Sequence, residues 1–217
     1  WRNIDAPLDT VESGKAVIAT LLRTGYHRTL SEMRRRNDAS QWAVGGNINW
    51  RWHRWHAGLS GLYTQFDKAL HPNHHLRYRQ WSAEGRNFWN LSVDYGYTSS
   101  VVNVSGETAT GDCGAIATIN SLSLQLSQSL SLVTLQRFYS YKFYSLLGNS
   151  FSAGGGVQNE SGIYVGATWR PLRGLSIEVY ADVAYFSWAK YLVSKASHYY
   201  ESMLSLRYER NGWALAA

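Results

Sequence analysis

"GIYVGATWRPLRGLSIEVYADVAYF", residues 162–186, is the stretch on which the reading of this chain turns. Apolar and polar residues alternate along it, stop at Pro171 to Leu175, and then resume. A period of two means a strand with two unlike faces, so two strands joined by a tight turn are predicted. Ile163, Val165, Trp169, Ile177 and Val179 fall on one face, and Arg170, Glu178 and Asp182 on the other. In a soluble sheet the apolar face meets a core and the polar face meets bulk water. In a membrane barrel the apolar face meets lipid and the polar face lines a lumen. One hairpin does not separate these cases, so the rest of the chain must decide between them.

The same alternation recurs along the chain. Trp89, Leu91, Val93, Tyr95 and Tyr97 share a face opposite Asn90, Ser92 and Asp94. Leu122, Leu124 and Leu126 alternate with Ser and Gln; Tyr200, Leu204, Leu206 and Tyr208 alternate with Glu201, Met203, Ser205 and Arg207; Ile48, Trp50 and Trp52 alternate with Asn49 and Arg51. Segments of about ten residues suit a tilted strand crossing a bilayer, whereas soluble strands are usually about five or six. Short connections are predicted at His53–Arg54, 83–86, 127–129, 171–175 and the Asn211-Gly212 turn signal, and long ones at 25–42, 67–75, 99–114, 140–161 and 187–198. Alternating short and long connections are the pattern of outer-membrane barrels. Trp50, Trp52, Trp55, Trp81, Trp89, Trp169 and Trp213 are expected beside the short turns, and Trp42 and Trp188 at the edges of long loops. An indole has an apolar body for hydrocarbon and an N–H for headgroups, so Trp50, Trp52, Trp55, Trp89 and Trp169 are predicted to form a membrane-interface girdle.

Composition agrees. Ten Trp and fifteen Tyr stand beside three Pro in 217 residues, and only 17% of residues are charged, below the roughly 25% of soluble domains. The net charge of +6 is thinly spread. The longest apolar run, Ala16 to Leu22, is far short of the ~20 residues that a spanning helix needs. A lone Cys113 excludes an intrachain disulfide and a thiolate metal cluster. About eleven strands are counted where single-chain bacterial barrels use an even number. With the abrupt start at Trp1, this leads to the expectation that the chain is part of a larger barrel.

Two stretches, "LLRTGYHRTLSEMRRRN" (21–37) and "FSAGGGVQNESGIYVGATWRPLRGLSIEVYADVAYFSWAKY" (151–191), resemble the barrel region of Bacteroidetes-type outer-membrane proteins described as helix-hairpin-helix domain-containing. The resemblance covers about a quarter of the chain and implies the bacterial outer membrane, without bringing an established activity. The helix-hairpin-helix segment itself is not visible in this sequence, so nucleic-acid binding is not carried over.

The chemistry follows from the faces. Arg51, Asp94, Arg170, Glu178, Asp182 and Arg207 are the candidate lumen residues, expected to pair with one another or with water. Glu178 and Asp182 lie about 13 Å apart along one strand, too far for a glycosidase pair. Thr29 and Glu32 have capping-box spacing, which predicts a short helix near 29–37. Arg23, His27, Arg28 and Glu32 make the 25–42 region either a plug folded into the lumen or a solvated loop helix. His53, His56, His71, His74 and His75 fall in two groups that a barrel would hold apart, so no metal site and no cofactor is expected. Serines are plentiful, but none sits in a strand-turn-helix elbow, and no catalytic residue is assigned. The expectation is an all-β, antiparallel transmembrane β-barrel of 10–12 strands, residues 1–217 forming part of one domain, with outer-membrane lipid and other outer-membrane subunits as partners. It would act as a pore, transporter or surface scaffold. A membrane-barrel hydrolase and a soluble carbohydrate-binding sandwich stay open as alternatives.

Overall fold

Alternating β-branched, aromatic and polar residues favour long strands here, and every long strand inside the sheet has a neighbour on each side to complete its ladder. The computed structural model describes residues 1–10, 14–22, 25–210 and 213–216. Three short strands come first, β1 (Arg2–Ile4), β2 (Leu8–Thr10) and β3 (Ala16–Ile18), followed by a one-turn helix α1 (Leu30–Met33). Nine long strands follow: β4 (Ala39–Trp52), β5 (Trp55–Leu70), β6 (Gly85–Thr98), β7 (Val102–Gly111), β8 (Ile116–Gln125), β9 (Leu130–Tyr139), β10 (Glu160–Trp169), β11 (Leu175–Phe186) and β12 (Ser197–Arg210). A four-residue β13 (Trp213–Ala216) pairs with the end of β12. From β4 to β12 each strand pairs antiparallel with the next, in one sheet.

The all-β antiparallel class is as expected, but the described strands do not close into a barrel. The reason lies in direction. Nine antiparallel strands leave β4 and β12 pointing the same way, so they cannot pair antiparallel with each other. A strand of the opposite direction must stand between them. β13 has that direction, but it pairs only with Arg207–Arg210. At the other edge, β1 covers only Ala39–Gln41 of β4.

Connections at one end of the sheet are all short: 53–54, 99–101, 126–129 and 170–174. At the other end they run 71–84, 112–115, 140–159 and 187–196. These are the turn end and the loop end. Gly174 is needed in its turn, because its φ is +87° and a Cβ there would meet the Glu209 carbonyl. The Asn211-Gly212 signal lies outside the described residues.

Two expected boundaries are corrected. The 99–114 region holds β7 rather than a loop, and no strand separates 71–75 from 83–86, where Arg77–Arg79 form a 3₁₀ turn. The second change puts Trp81 in a loop and Trp89 near the loop end, away from the short turns. Trp50, Trp52, Trp55 and Trp169 keep their expected place at the turn end. Trp42, Tyr63 and Trp89 instead form a second aromatic row, with Trp42 and Tyr63 in edge contact at 5.9 Å and Tyr63 paired across from Trp89.

Between the rows, Val44, Ile48, Leu59, Leu91, Val93, Ile163, Val165, Val179, Val183 and Leu204 are exposed on one face. The opposite face carries the buried clusters, Phe66, Phe88, Ile18 and Leu70 in one and Tyr139, Phe143, Ala115 and Ala117 in the other. Both lie at the loop end. The chain exposes 14418 Å², whereas a compact soluble monomer of 24.6 kDa exposes about 10,000 Å². A sheet open on its apolar face accounts for the excess.

Candidate functional site

Register fixes which side chains share the polar inner face. Arg51 and His56, Asp94 and Glu107, and Ile119 and Arg137 are direct cross-strand partners, as are Arg137 and Gly162, Tyr164 and Asp182, and Asp182 and Glu201. One inner face therefore collects carboxylates from β6, β7, β10, β11 and β12. The nine long strands hold eight Asp/Glu against six Lys/Arg, while the rest of the chain holds seven against fifteen. A basic protein thus has an acidic wall.

At the loop end this face carries a buried charge clasp. Arg137 of β9 donates through Nε to Glu160 and through its two terminal nitrogens to Asp182 at 2.8 and 3.1 Å. The side chains of Arg137 and Glu160 are fully buried and that of Asp182 is 7% exposed. Gly162 lies beneath the guanidinium, where a Cβ would come within 2.7 Å of Cζ. The missing side chain is what lets the arginine lie flat across β10.

The 140–159 connection covers this clasp. Glu160 accepts the Ser152 hydroxyl (2.9 Å) and the N–H groups of Ala153 (2.9 Å) and Gly154 (2.8 Å), and the Phe151 ring sits 5.1 Å from the guanidinium. Tyr139 donates to Ser150 Oγ and the Phe151 carbonyl. The loop then reaches across the wall: Asn90 of β6 donates to the Tyr144 carbonyl and accepts from the Ser145 hydroxyl. Burial and the Asp112 carboxylate, to which it donates at 2.9 Å, push the Tyr144 hydroxyl well above the usual phenol range. Gln158 ties the loop to the Trp81 and Tyr141 carbonyls, and Trp188 donates to the Arg77 carbonyl, so the long loops interlock. Beneath the loop is a cavity of about 240 Å³ bordered by Leu62, Asn90, Glu107, Ile119 and Tyr139. Toward the turn end a second, about 520 Å³, is bordered by Asn103, Gln125, Tyr164, Glu178 and Met203.

The expected lumen residues meet different fates. Asp182 is in the clasp, with Arg137 as its partner rather than Arg51, Arg170 or Arg207. Asp94 lies 3.9 Å from His56, its carboxylate over Gly58 and the imidazole over Gly96. Glu178 borders the turn-end cavity. Arg207 pairs with Glu209 at 2.6 Å near the sheet edge, and Arg170 sits in the turn after β10, its N–H bonded to the Ser129 carbonyl. Arg51 is exposed near the turn end.

The 25–42 region does not lie across the wall. β4 already begins at Ala39, and α1 buries none of its residues. Thr29 and Glu32 form the predicted capping box, and the backbone N–H of Arg28 holds the Glu32 carboxyl below its usual range. Arg28 approaches Glu32 at 4.0 Å and His27 meets Asp5 at 2.7 Å. Arg23 lies outside the described residues. Among the described residues no group of three or more His, Cys, Asp and Glu is arranged to hold a metal ion. The nearest arrangement is His71 and His74 on the two oxygens of Glu84.

Sequence reasoning missed Arg137, Glu160, Glu107 and Glu201. Arg137 shares its face with Val133 and Leu135, while Thr134 and Gln136 point outward, so alternation in β9 gives the wrong phase. The sequence carries a signal for Glu160, the acid at the start of the strand beside the Gly-rich SAGGG. No protein-family model matches the chain, and no match is found among curated proteins. No helix among the described residues is long and apolar enough to cross a membrane, which leaves strand-crossing untouched.

Proposed function

We propose that this chain is the wall of an outer-membrane β-barrel whose polar interior is closed at the loop end by the 140–159 connection, a plugged or gated pore rather than an enzyme. The observation that carries it is the pair of unlike faces. Exposed aliphatic residues fill the band between two aromatic rows, while the opposite face is charged and covered at one end by a tethered loop. From Trp42 to Trp52 is ten residues, about 33 Å along the strand. At a tilt of ~40° that becomes about 25 Å, the height of a barrel's lipid-facing band. The resemblance at 21–37 and 151–191 supports the same location.

An acidic wall sets the solute preference. Asp94, Glu107, Glu178 and Glu201 face the interior without an arginine or lysine partner among the described residues, so cations should pass in preference to anions.

The test is planar-bilayer recording on the full chain and on a variant with residues 144–157 replaced by a short Gly-Ser linker. Heat-modifiable gel mobility checks that both are folded, and a Glu160→Gln variant loosens the loop without shortening it. Expected are silence or rare steps from the natural chain, and frequent cation-selective steps from the two variants. Full steps from the natural chain would remove the plug. Silence from all three folded proteins would remove the pore.

A further inference from the structure

The outer face is not uniformly apolar. On β4–β6 and β10–β12, positions between the aromatic rows are aliphatic, aromatic or small, Ser202 being the one hydroxyl there outside the tyrosines. On β7–β9 the same face carries Thr108, Thr118, Asn120, Thr134 and Gln136. Asn120 is midway along β8, so this patch lies at the middle of the band. Its groups bond to one another: Tyr95 donates to Asn120 Oδ1, Asn120 Nδ2 donates to Gln136 Oε1 at 2.8 Å, and the Thr108 and Thr118 hydroxyls are 3.0 Å apart. Gln136 is exposed, and among the described residues its Nε2 has no acceptor.

In hydrocarbon, an unsatisfied amide is costly, because no water replaces the missing partner. We propose that this patch is the centre of a dimer interface in the membrane, covered by the same patch of a second copy. This inference rests on the membrane reading above. The occupant follows from the chemistry. The patch is uncharged, which gives a charged partner nothing to pair with, and an amide presents donor and acceptor side by side, so two copies facing each other satisfy both. A two-fold axis along the membrane normal brings the patches together while keeping both copies in the same orientation. Thr108 and Thr118 are small enough for the walls to approach closely, as at other intramembrane contacts. The Tyr95 ring covers Gly106 and closes the patch on the β6 side.

The test uses the full chain with Cys113→Ser, carrying one new cysteine at Thr134→Cys, which spares both patch amides, or, as a control on the aliphatic part of the same face, Leu204→Cys. Insertion into vesicles is established first by flotation and heat-modifiable mobility. A short bismaleimide is then applied, and the mass of the cysteine-free protein is measured in nanodiscs. Expected is a cross-linked dimer at least 10-fold more abundant at position 134 than at 204, a dimeric mass, and loss of both when Asn120→Leu/Gln136→Leu is added to the Thr134→Cys and cysteine-free chains and the protein still inserts and folds. A monomeric mass in inserted protein, equal cross-linking at both positions, or capture of a different protein in the native membrane would overturn the second copy as the occupant. Failure to insert would overturn the membrane reading itself, and this inference with it.

Discussion

Two carboxylates of the inner wall, Asp94 on β6 and Asp182 on β11, sit on the same face of the same sheet and have opposite surroundings. Asp94 shares a half-exposed space with His56 at 3.9 Å. Asp182 is sealed against Arg137 with Glu160 beside it. Strand pairing is regular at both places, so the sheet does not make the difference; the 140–159 connection covers one and leaves the other wet. A charge on a polar wall is cheap while water reaches it, and once a loop excludes water it must be fully paired.

The largest expected effect breaks the sealed side. Arg137→Ala leaves two buried carboxylates without a counter-charge and should destabilise the fold by about 3–5 kcal/mol. His56→Ala, which leaves Asp94 in contact with water, should cost about 0–1 kcal/mol. Urea midpoints of the folded protein in detergent, followed by gel mobility, compare them directly. Equal losses would mean that the loop does not set the electrostatics of the wall.

Glycine substitution sharpens the same contrast. At Gly162 a methyl group would lie 2.7 Å from the guanidinium carbon and 2.8 Å from the Val183 carbonyl. Neither can give way, since the guanidinium is held by two carboxylates. Gly162→Ala should cost about 1–3 kcal/mol, as overpacking of a fixed site does. At Gly58 the methyl group would meet the Asp94 carboxylate and Asn49 Oδ1, ends of side chains free to swing aside. Gly58→Ala should stay within about 1 kcal/mol. A larger loss at Gly58 would show that Asp94 is fixed in place, contrary to its solvated position.

How much of this was legible differs between the two sides for a physical reason. β6, β10 and β11 alternate cleanly, so Asp94, Glu178 and Asp182 could be put on the polar face from sequence. The partner of Asp182 could not, because β9 carries Val133 and Leu135 inside and Thr134 and Gln136 outside. Inner positions of β8 and β9 are apolar where they meet the covering loop, as at Ile119, and the patch around Asn120 is polar where the outer face departs from an aliphatic wall. Period two reports the local pattern and leaves unsaid which face is inside. The covering segment is hard to find for a related reason. The charges at 28–36 draw attention to α1, whose residues are not buried, while the segment that covers the clasp is rich in Ser, Gly and Asn, residues whose backbone and hydroxyl groups do the bonding.

The N-terminal lap provides a milder version of the contrast, and the smallest expected effect. Asp5 joins three pieces of chain: its Oδ1 accepts the Asn37 N–H at 3.0 Å, its Oδ2 meets His27 at 2.7 Å, and its carbonyl accepts the Leu22 N–H. The Asn37 N–H holds the Asp5 carboxyl below its usual value, with His27 and Arg36 helping. A depressed carboxyl contributes stability that is fully present above the unfolded value of about 3.9 and is lost as pH falls through the folded value. Amide exchange at Asn37, corrected for its intrinsic pH dependence, should therefore quicken by a few-fold between pH 5 and pH 3. Asp5→Asn should show the faster exchange already at pH 5 and no further change on acidification. A variant that keeps the full pH dependence would place the titrating group elsewhere. The lap would then be held by its backbone bonds alone, such as that from Ala6 to Arg35, which do not titrate.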